Sequence, residues 1–308
     1  LMPAFKPISA LFRPIRSALA WICGVGLFCL AAQAPAQSER AGGDRPRIGL
    51  ERIDEAEGRK RMAAFRNQRL AGDFCFRFEL AHKPYRSSRT IRYEGTMWGS
   101  WNEAGPVTRY ELIPLREGAP SEAAPPVELI VHGGREPAVW SRRGDSDAFE
   151  QLEGAALFEP VFDGVVFRPF DLQMPFVYWE DYRYEGPGRI GSYAALQNFM
   201  MRPPEDSAAA QMGLGGVRLG IDDDYNALRR IEVLDTEAGV VSEFVAQGFR
   251  KIEDQWIVSR ITIKDLRSRD ATTFKVESAA LDVDLDPGCF DPESGISPEV
   301  RSSAFEDV

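Results

Sequence analysis

The 308-residue chain carries 47 acidic against 37 basic side chains, a formal charge of −10. A surface of that sign repels phosphate backbones and anionic headgroups within a Debye length of about 8 to 10 Å, which excludes nucleic acid and resident membrane binding and leaves basic partners open. The length admits one large β-rich domain or two small ones, and with no internal repeat or long linker the reading is one.

Residues 1–36 read as a secretory signal peptide. Lys6, Arg13 and Arg16 precede an apolar stretch from Ala18 to Ala32, and Ala34-Pro35-Ala36 gives the small-x-small cleavage pattern before Gln37. About 15 apolar residues fall short of the ~20 that a spanning helix needs, with an uncleaved anchor as the alternative. Ile22 before Cys23 and Phe28 before Cys29 are too large for a lipidation site. The mature chain is therefore expected to be soluble and periplasmic. Removing the leader takes away three basic residues and no acids, so the formal charge moves from −10 to about −13.

Residues 37–46 are expected to be flexible. Residues 47–70 place Ile48, Leu50, Ile53, Met62, Phe65 and Leu70 among many charges, which predicts one or two amphipathic helical pieces with Gly58 as a weak point. From Asp73 to Leu80, Phe74, Phe76, Phe78 and Leu80 share one face of a strand, opposite Cys75, Arg77 and Glu79. Further strands are predicted at 89–101, 106–114, 127–132 and 137–142. REGAPSEAAPP and RPPEDSAAAQMGLGG read as loops. Between them, FRPFDLQMPFVYWEDY sets six aromatics around two prolines, read in part as a short helix over one opening of the sheet.

Residues 217–281 read as four successive strands in a meander. Val217, Leu219 and Ile221 alternate with polar or small residues, as do Phe274 and Val276. Asp222-Asp223-Asp224-Tyr225-Asn226, Glu237-Ala238-Gly239 and Glu253-Asp254 supply turns. Such a run builds a curved antiparallel sheet with one apolar face. The expected fold is α+β, mainly β, as a single domain over 47–286. A Pro-, Ser- and acid-rich tail over 287–308 is expected to be disordered.

Only Cys75 and Cys289 lie beyond the leader. They are a candidate disulfide, worth about 4 to 5 kcal/mol in the chain-entropy model for so long a loop, or else two independent buried thiols. Aromatic side chains and Met200 present a second open choice. Phe74, Phe76, Phe78, Trp98, Phe176, Tyr178, Phe199, Met200 and Trp256 are candidates to line an apolar cavity for flexible chains, against the plainer reading that they fill a core.

Catalytic and metal signals are weak. LIVHGGRE places His132 before Gly133-Gly134, as in esterase oxyanion loops, but no G-x-S-x-G elbow is present and His82 lies upstream, so a hairpin turn is the stronger reading. Asp282, Asp284, Asp286 and Glu293 match the acid positions of a calcium loop, but Pro287 stands where the loop needs glycine. No catalytic residue, metal site or cofactor is assigned.

The late block resembles the outer-membrane lipoprotein-sorting proteins, relatives of the periplasmic Lol-type lipoprotein carriers of Gram-negative bacteria. The resemblance rests on IDDDYNALRRIEVLD, FRKIEDQWIVSRITIKD and the closing TTFKV strand, with RLAGDFCFRFEL similar to the family's opening, about a third of the chain. It implies an unclosed antiparallel half-barrel with short helices across its concave side. It also implies a non-enzymatic role in which a cavity between sheet and helices takes the acyl chains of a lipoprotein or another lipid. Envelope transport proteins as partners and only transient membrane contact follow from the same resemblance. The alternative is a non-catalytic envelope interaction module with a filled core.

Overall fold

Four apolar side chains at alternate positions of one strand, Phe74, Phe76, Phe78 and Leu80, are all buried, the mark of a sheet with a covered face. The computed structural model describes residues 51–308 apart from 117–118, 121–124, 145, 147, 163–164 and 192–193, so residues 1–36, expected to be a signal peptide, and residues 37–46 lie outside the described residues.

The chain enters through helix α1 (Glu55–Arg66) and lays down β1 (Asp73–Lys83), β2 (Ile91–Trp101), β3 (Pro106–Arg116), β4 (Ala119–Pro120), β5 (Val127–His132), β6 (Ala138–Arg143) and β7 (Glu150–Leu152). Helix α2 (Pro169–Gln173) follows, then β8 (Tyr182–Ile190), β9 (Ala194–Met201) and helix α3 (Ala208–Gln211). The meander comes last: β10 (Leu214–Asp222), β11 (Leu228–Asp235), β12 (Val240–Ile252), β13 (Gln255–Asp265) and β14 (Ala271–Val283), with a short β15 (Glu306–Asp307) in the tail. The run expected to hold four strands holds five, β10 to β14, and β8 and β9 were not predicted.

Among the described residues these strands make one sheet, ordered β7-β6-β5-β3-β2-β1-β14-β13-β12-β11-β10-β9-β8, with β4 on β3 and β15 on β14. All the pairings are antiparallel, and two meanders meet where β1 pairs with β14, Phe76 opposite Ala279. The sheet does not close: β7 and β8 are its two edges, and they are consecutive in the chain.

One apolar row runs across the covered face through Ala279, Phe76, Met97, Tyr110 and Leu129, partners in register on β14, β1, β2, β3 and β5. Two glycines give this face its closest contacts. Gly95 and Gly99 of β2 stand opposite Phe78 and Phe74, whose rings lie over them. A Cβ at Gly95 would meet Phe78 at 2.3 Å, and one at Gly99 would meet Phe74 at 1.9 Å. Aromatic rings commonly cover strand glycines in this way.

Helix α1 is started by Asp54, whose carboxylate accepts from the Glu57 amide at 2.8 Å. It buries Met62 and Phe65 in the core. Gly58 is buried against the sheet, and a Cβ there would meet Phe199 and Tyr184 at 3.5 Å, ordinary van der Waals distance.

The tail is ordered, contrary to the expectation for 287–308. A 3₁₀ turn at Pro287–Phe290 buries Cys289 and Phe290 against Val107 and Trp98. The buried Arg109 guanidinium donates to the carbonyls of Cys289 at 3.0 Å and Ile296 at 2.6 Å, and His132 Nε2 pairs with the Phe290 carbonyl at 2.9 Å. Arg77 lies 4.0 Å over the Phe305 ring, and β15 pairs with Ser278 and Ala279. His132 is thus engaged in holding the tail. Cys75 and Cys289 are both free and buried, so the candidate disulfide is not formed. Burial pushes the two thiols up to about 12 and about 11.

Gly58→Ala is expected to raise stability by up to about 1 kcal/mol through helix propensity alone. Gly99→Ala is expected to cost about 1 to 3 kcal/mol through forced displacement of Phe74. Urea unfolding midpoints of the two variants check both signs.

Candidate functional site

Residues 153–181 join β7 to β8 and therefore cross from one edge of the sheet to the other, over its concave face. This strap holds 3₁₀ turns at Gly154–Phe158 and Pro175–Tyr178 with α2 between them, and prolines start both α2 and the second turn. Met174 makes the corner between them at φ +47°, a left-handed conformation kept by complete burial. The strap's inner side is apolar. Phe162 stacks on Tyr93 with centroids 4.6 Å apart, and Phe167 meets Phe244 edge-on at 6.3 Å.

The space between strap and sheet is almost filled. Among the described residues a void of about 20 Å³ lies there, lined by Phe78, Leu80, Tyr110, Leu112 and Phe274 of the sheet and by Val161, Phe162, Val165, Phe167 and Leu172 of the strap. Room for one water-sized group is far too little for a hydrocarbon tail. Among the described residues, the chain's own side chains meet where the open cavity is expected between sheet and helices.

Among the described residues, polar bonds reach the strap from both sides. Arg66 of α1 donates to the carbonyls of Val177 at 2.7 Å and Trp179 at 2.8 Å, and Arg143 of β6 donates to that of Val161 at 2.8 Å. The Val166 amide donates to Thr272 Oγ1 at 3.2 Å, and that hydroxyl also bonds His82 Nδ1 at 3.0 Å. His82 is 2% exposed, and burial holds it below its ordinary value of 6.5 against the opposing pull of Asp270. Within the strap, buried Asp171 receives Arg168 in a two-pronged pair at 2.8 and 2.9 Å, and its charge raises the guanidinium further.

Helix α1 is fastened beside the strap by a separate network. Tyr184 donates to Gln197 at 2.6 Å, Gln197 donates to Asp223 at 3.3 Å, and Arg61 pairs with Asp223.

Of the candidate cavity residues, Phe74, Phe76, Phe78, Phe176 and Phe199 lie in the core, with Tyr178 half-buried against it. Three do not. Trp98 is in register with Cys75, so it faces the opposite side of the sheet and packs with Cys289 and Phe290. Met200, between buried Phe199 and Met201, faces outward opposite Arg183 and Arg218. Trp256 stands opposite Lys251 beside the β12–β13 turn, outside the core cluster. The residues that line the void on the strap side went unnoticed singly, though the density of aromatics around two prolines was the signal for the segment.

On the strap's outer side a cleft of about 650 Å³ opens between the β5–β6 hairpin tip, the strap and the chain around α3. Its walls include Leu157, Phe170, Tyr178 and Trp179. Among the described residues no helix is long and apolar enough to cross a membrane.

No family model and no curated protein matches the chain. Solved structures do. A DUF1329 family protein from Desulfovibrio piger superposes with a TM-score of 0.61 at 13% identity, over 75% of this chain and 93% of that one. An outer membrane lipoprotein-sorting protein domain from Vibrio parahaemolyticus gives 0.59 at 12%, over 77% and 94%. A LolA superfamily protein from Nitrosomonas europaea gives 0.50 at 13%, over 71% and 90%. These likenesses are of fold, and the chain has the open, mainly β fold of the LolA-like structures.

Proposed function

We propose that this protein is a non-enzymatic periplasmic binder or carrier of acyl chains, of a lipoprotein or a free lipid, which enter the concave face as the strap moves aside. The reading is carried by one observation: where the sheet face lines the void it is apolar, and the strap side chains that cover it there are equally apolar. The LolA-like fold and the leader-like residues 1–36 support the periplasmic setting, with transient membrane contact and envelope transport proteins as partners.

Magnitudes favour an exchange. Uncovering Val161, Phe162, Val165, Phe167 and Leu172 costs roughly 8 to 15 kcal/mol at about 1.5 to 3 kcal/mol for each side chain. Burying a chain of about 16 methylenes returns roughly 13 kcal/mol at about 0.8 kcal/mol each. One long acyl chain balances those five side chains, and a short one does not. The second reading, an interaction module with a filled core, draws on the smallness of the void.

Uptake of fluorescently labelled palmitate by the purified protein separates the two. The Arg66→Ala/Arg143→Ala double variant is expected to take it up faster than wild type, and labelled octanoate is expected to be refused by both. Absence of palmitate uptake in both proteins, with lipid-free native mass spectra, contradicts the carrier reading and favours the filled-core module.

Acid is expected to weaken the strap's tie at Thr272. Because burial depresses His82 in the fold, the unfolded chain binds the extra proton first, so stability falls as pH drops through about 6.5 toward the lower folded value. His82→Asn keeps a polar atom toward Thr272 but removes the titration. Its loss of urea stability between pH 7 and pH 5.5 is expected to be smaller than that of wild type, and equal losses would exclude His82 as a contributor.

A further inference from the structure

The outer cleft beside the strap carries an unusual set of charges. Arg135 sits at the β5–β6 hairpin tip, Glu180 and Asp181 where the strap meets β8, and Arg202 just beyond β9. All four are exposed, and among the described residues no ion pair or side-chain hydrogen bond engages any of them. Their spacing is set by the backbone: the Arg202 amide donates to the Asp181 carbonyl at 2.9 Å, which fixes these two positions as neighbours although their side chains do not pair. Two guanidiniums and two carboxylates thus stand uncompensated around walls that include Leu157, Phe170, Tyr178 and Trp179.

We propose that this cleft binds the headgroup of a zwitterionic phospholipid, phosphate toward Arg135 and Arg202 and ammonium toward Glu180 and Asp181. The inference rests on the acyl-chain reading and names the class of amphiphile. The cleft's size and largely apolar lining are those of a small-molecule site. Guanidiniums match phosphate oxygens through paired N–H groups, and carboxylates accept from an ammonium. With charges of both signs on one rim, an ionic group of either sign alone satisfies half of it and faces the other half. Phe170 links cleft to interior, since it stacks on Phe158 at 4.7 Å and packs 5.8 Å from buried Phe176. A headgroup held here leaves its chain at the strap's outer side, where displacement of the strap would expose the concave face.

The test uses the intact protein and three monomeric amphiphiles with the same acyl chain: lysophosphatidylethanolamine, lysophosphatidylglycerol and an uncharged monoacylglycerol, with dissociation constants from titration calorimetry. Wild type is expected to bind the zwitterionic lipid about tenfold more tightly than the uncharged one, the effect of a charge-assisted contact. Arg135→Gln/Arg202→Gln is expected to erase that margin. Glu180→Gln/Asp181→Asn is expected to move the preference to lysophosphatidylglycerol. All four positions are exposed, so the variants leave the core intact. Equal affinity for the three lipids, or tightest binding of the anionic one by wild type, overturns the headgroup site and leaves acyl-chain binding standing. No binding of any of the three overturns both.

Discussion

The two edge strands of the sheet are neighbours in sequence, and most of the molecule's behaviour follows from that. A segment that leaves β7 and begins β8 must travel between opposite edges, and the shortest route for an apolar segment is across the concave face. It covers the apolar row on that face and is itself hidden from water there, so each surface solves the other's exposure. A closed barrel would have sealed the same interior behind backbone hydrogen bonds. Here the cover is a long connection that buries apolar side chains, with bonds between side chain and backbone at Arg66, Arg143 and Thr272 among the described residues.

The opposite face is built differently. Glu128 is gripped by Arg109 and Arg142; burial works against its ionisation, but the bonds from these two arginines outweigh it and hold the carboxyl below its usual range. Arg109 then reaches over to the tail, as does His132, and the tail closes over Trp98 and Val107. Charge-assisted bonds fix the outer face, whereas contact area fixes the inner one. Regions of low polar tethering open at lower free energy than strands in the middle of a sheet. On the proposed reading, the strap moves while the β1–β14 junction stays.

Much of the strand framework was legible in the sequence because alternation is local: β1, β2, β3, β5, β6 and the late meander all declare their apolar side every second residue. β8 was hidden by Gly186-Pro187-Gly188, residues that argue against an interior strand but are tolerated on an edge. β9 was hidden by Ala-Ala-Leu-Gln-Asn-Phe-Met-Met, whose residues suit a helix as well as a strand. Trp98 and Met200 were misplaced for a different reason. Size and aromaticity nominated them, but parity decides the face, and Met97 and Phe199 hold the inward positions beside them. The tail's composition gave no sign of order because its anchors are arginine and histidine side chains far away in sequence, bonding to tail carbonyls that any residue supplies. The choice between a filled core and a cavity stayed open in the sequence, since it depends on where the chain crosses rather than on any residue's type.

Hydrogen exchange of the strap relative to β1, with and without a saturating palmitoyl ligand, tests the displaceable cover most directly. The Val161, Val165 and Val177 amides are bonded within the strap, to the carbonyls of Phe167, Phe162 and Met174. If an acyl chain takes the strap's place, these amides lose protection on ligand addition while those of Phe74 to Leu80 keep theirs. Bound ligand with the strap amides as protected as before would show that the chain lies elsewhere and that the concave face stays filled.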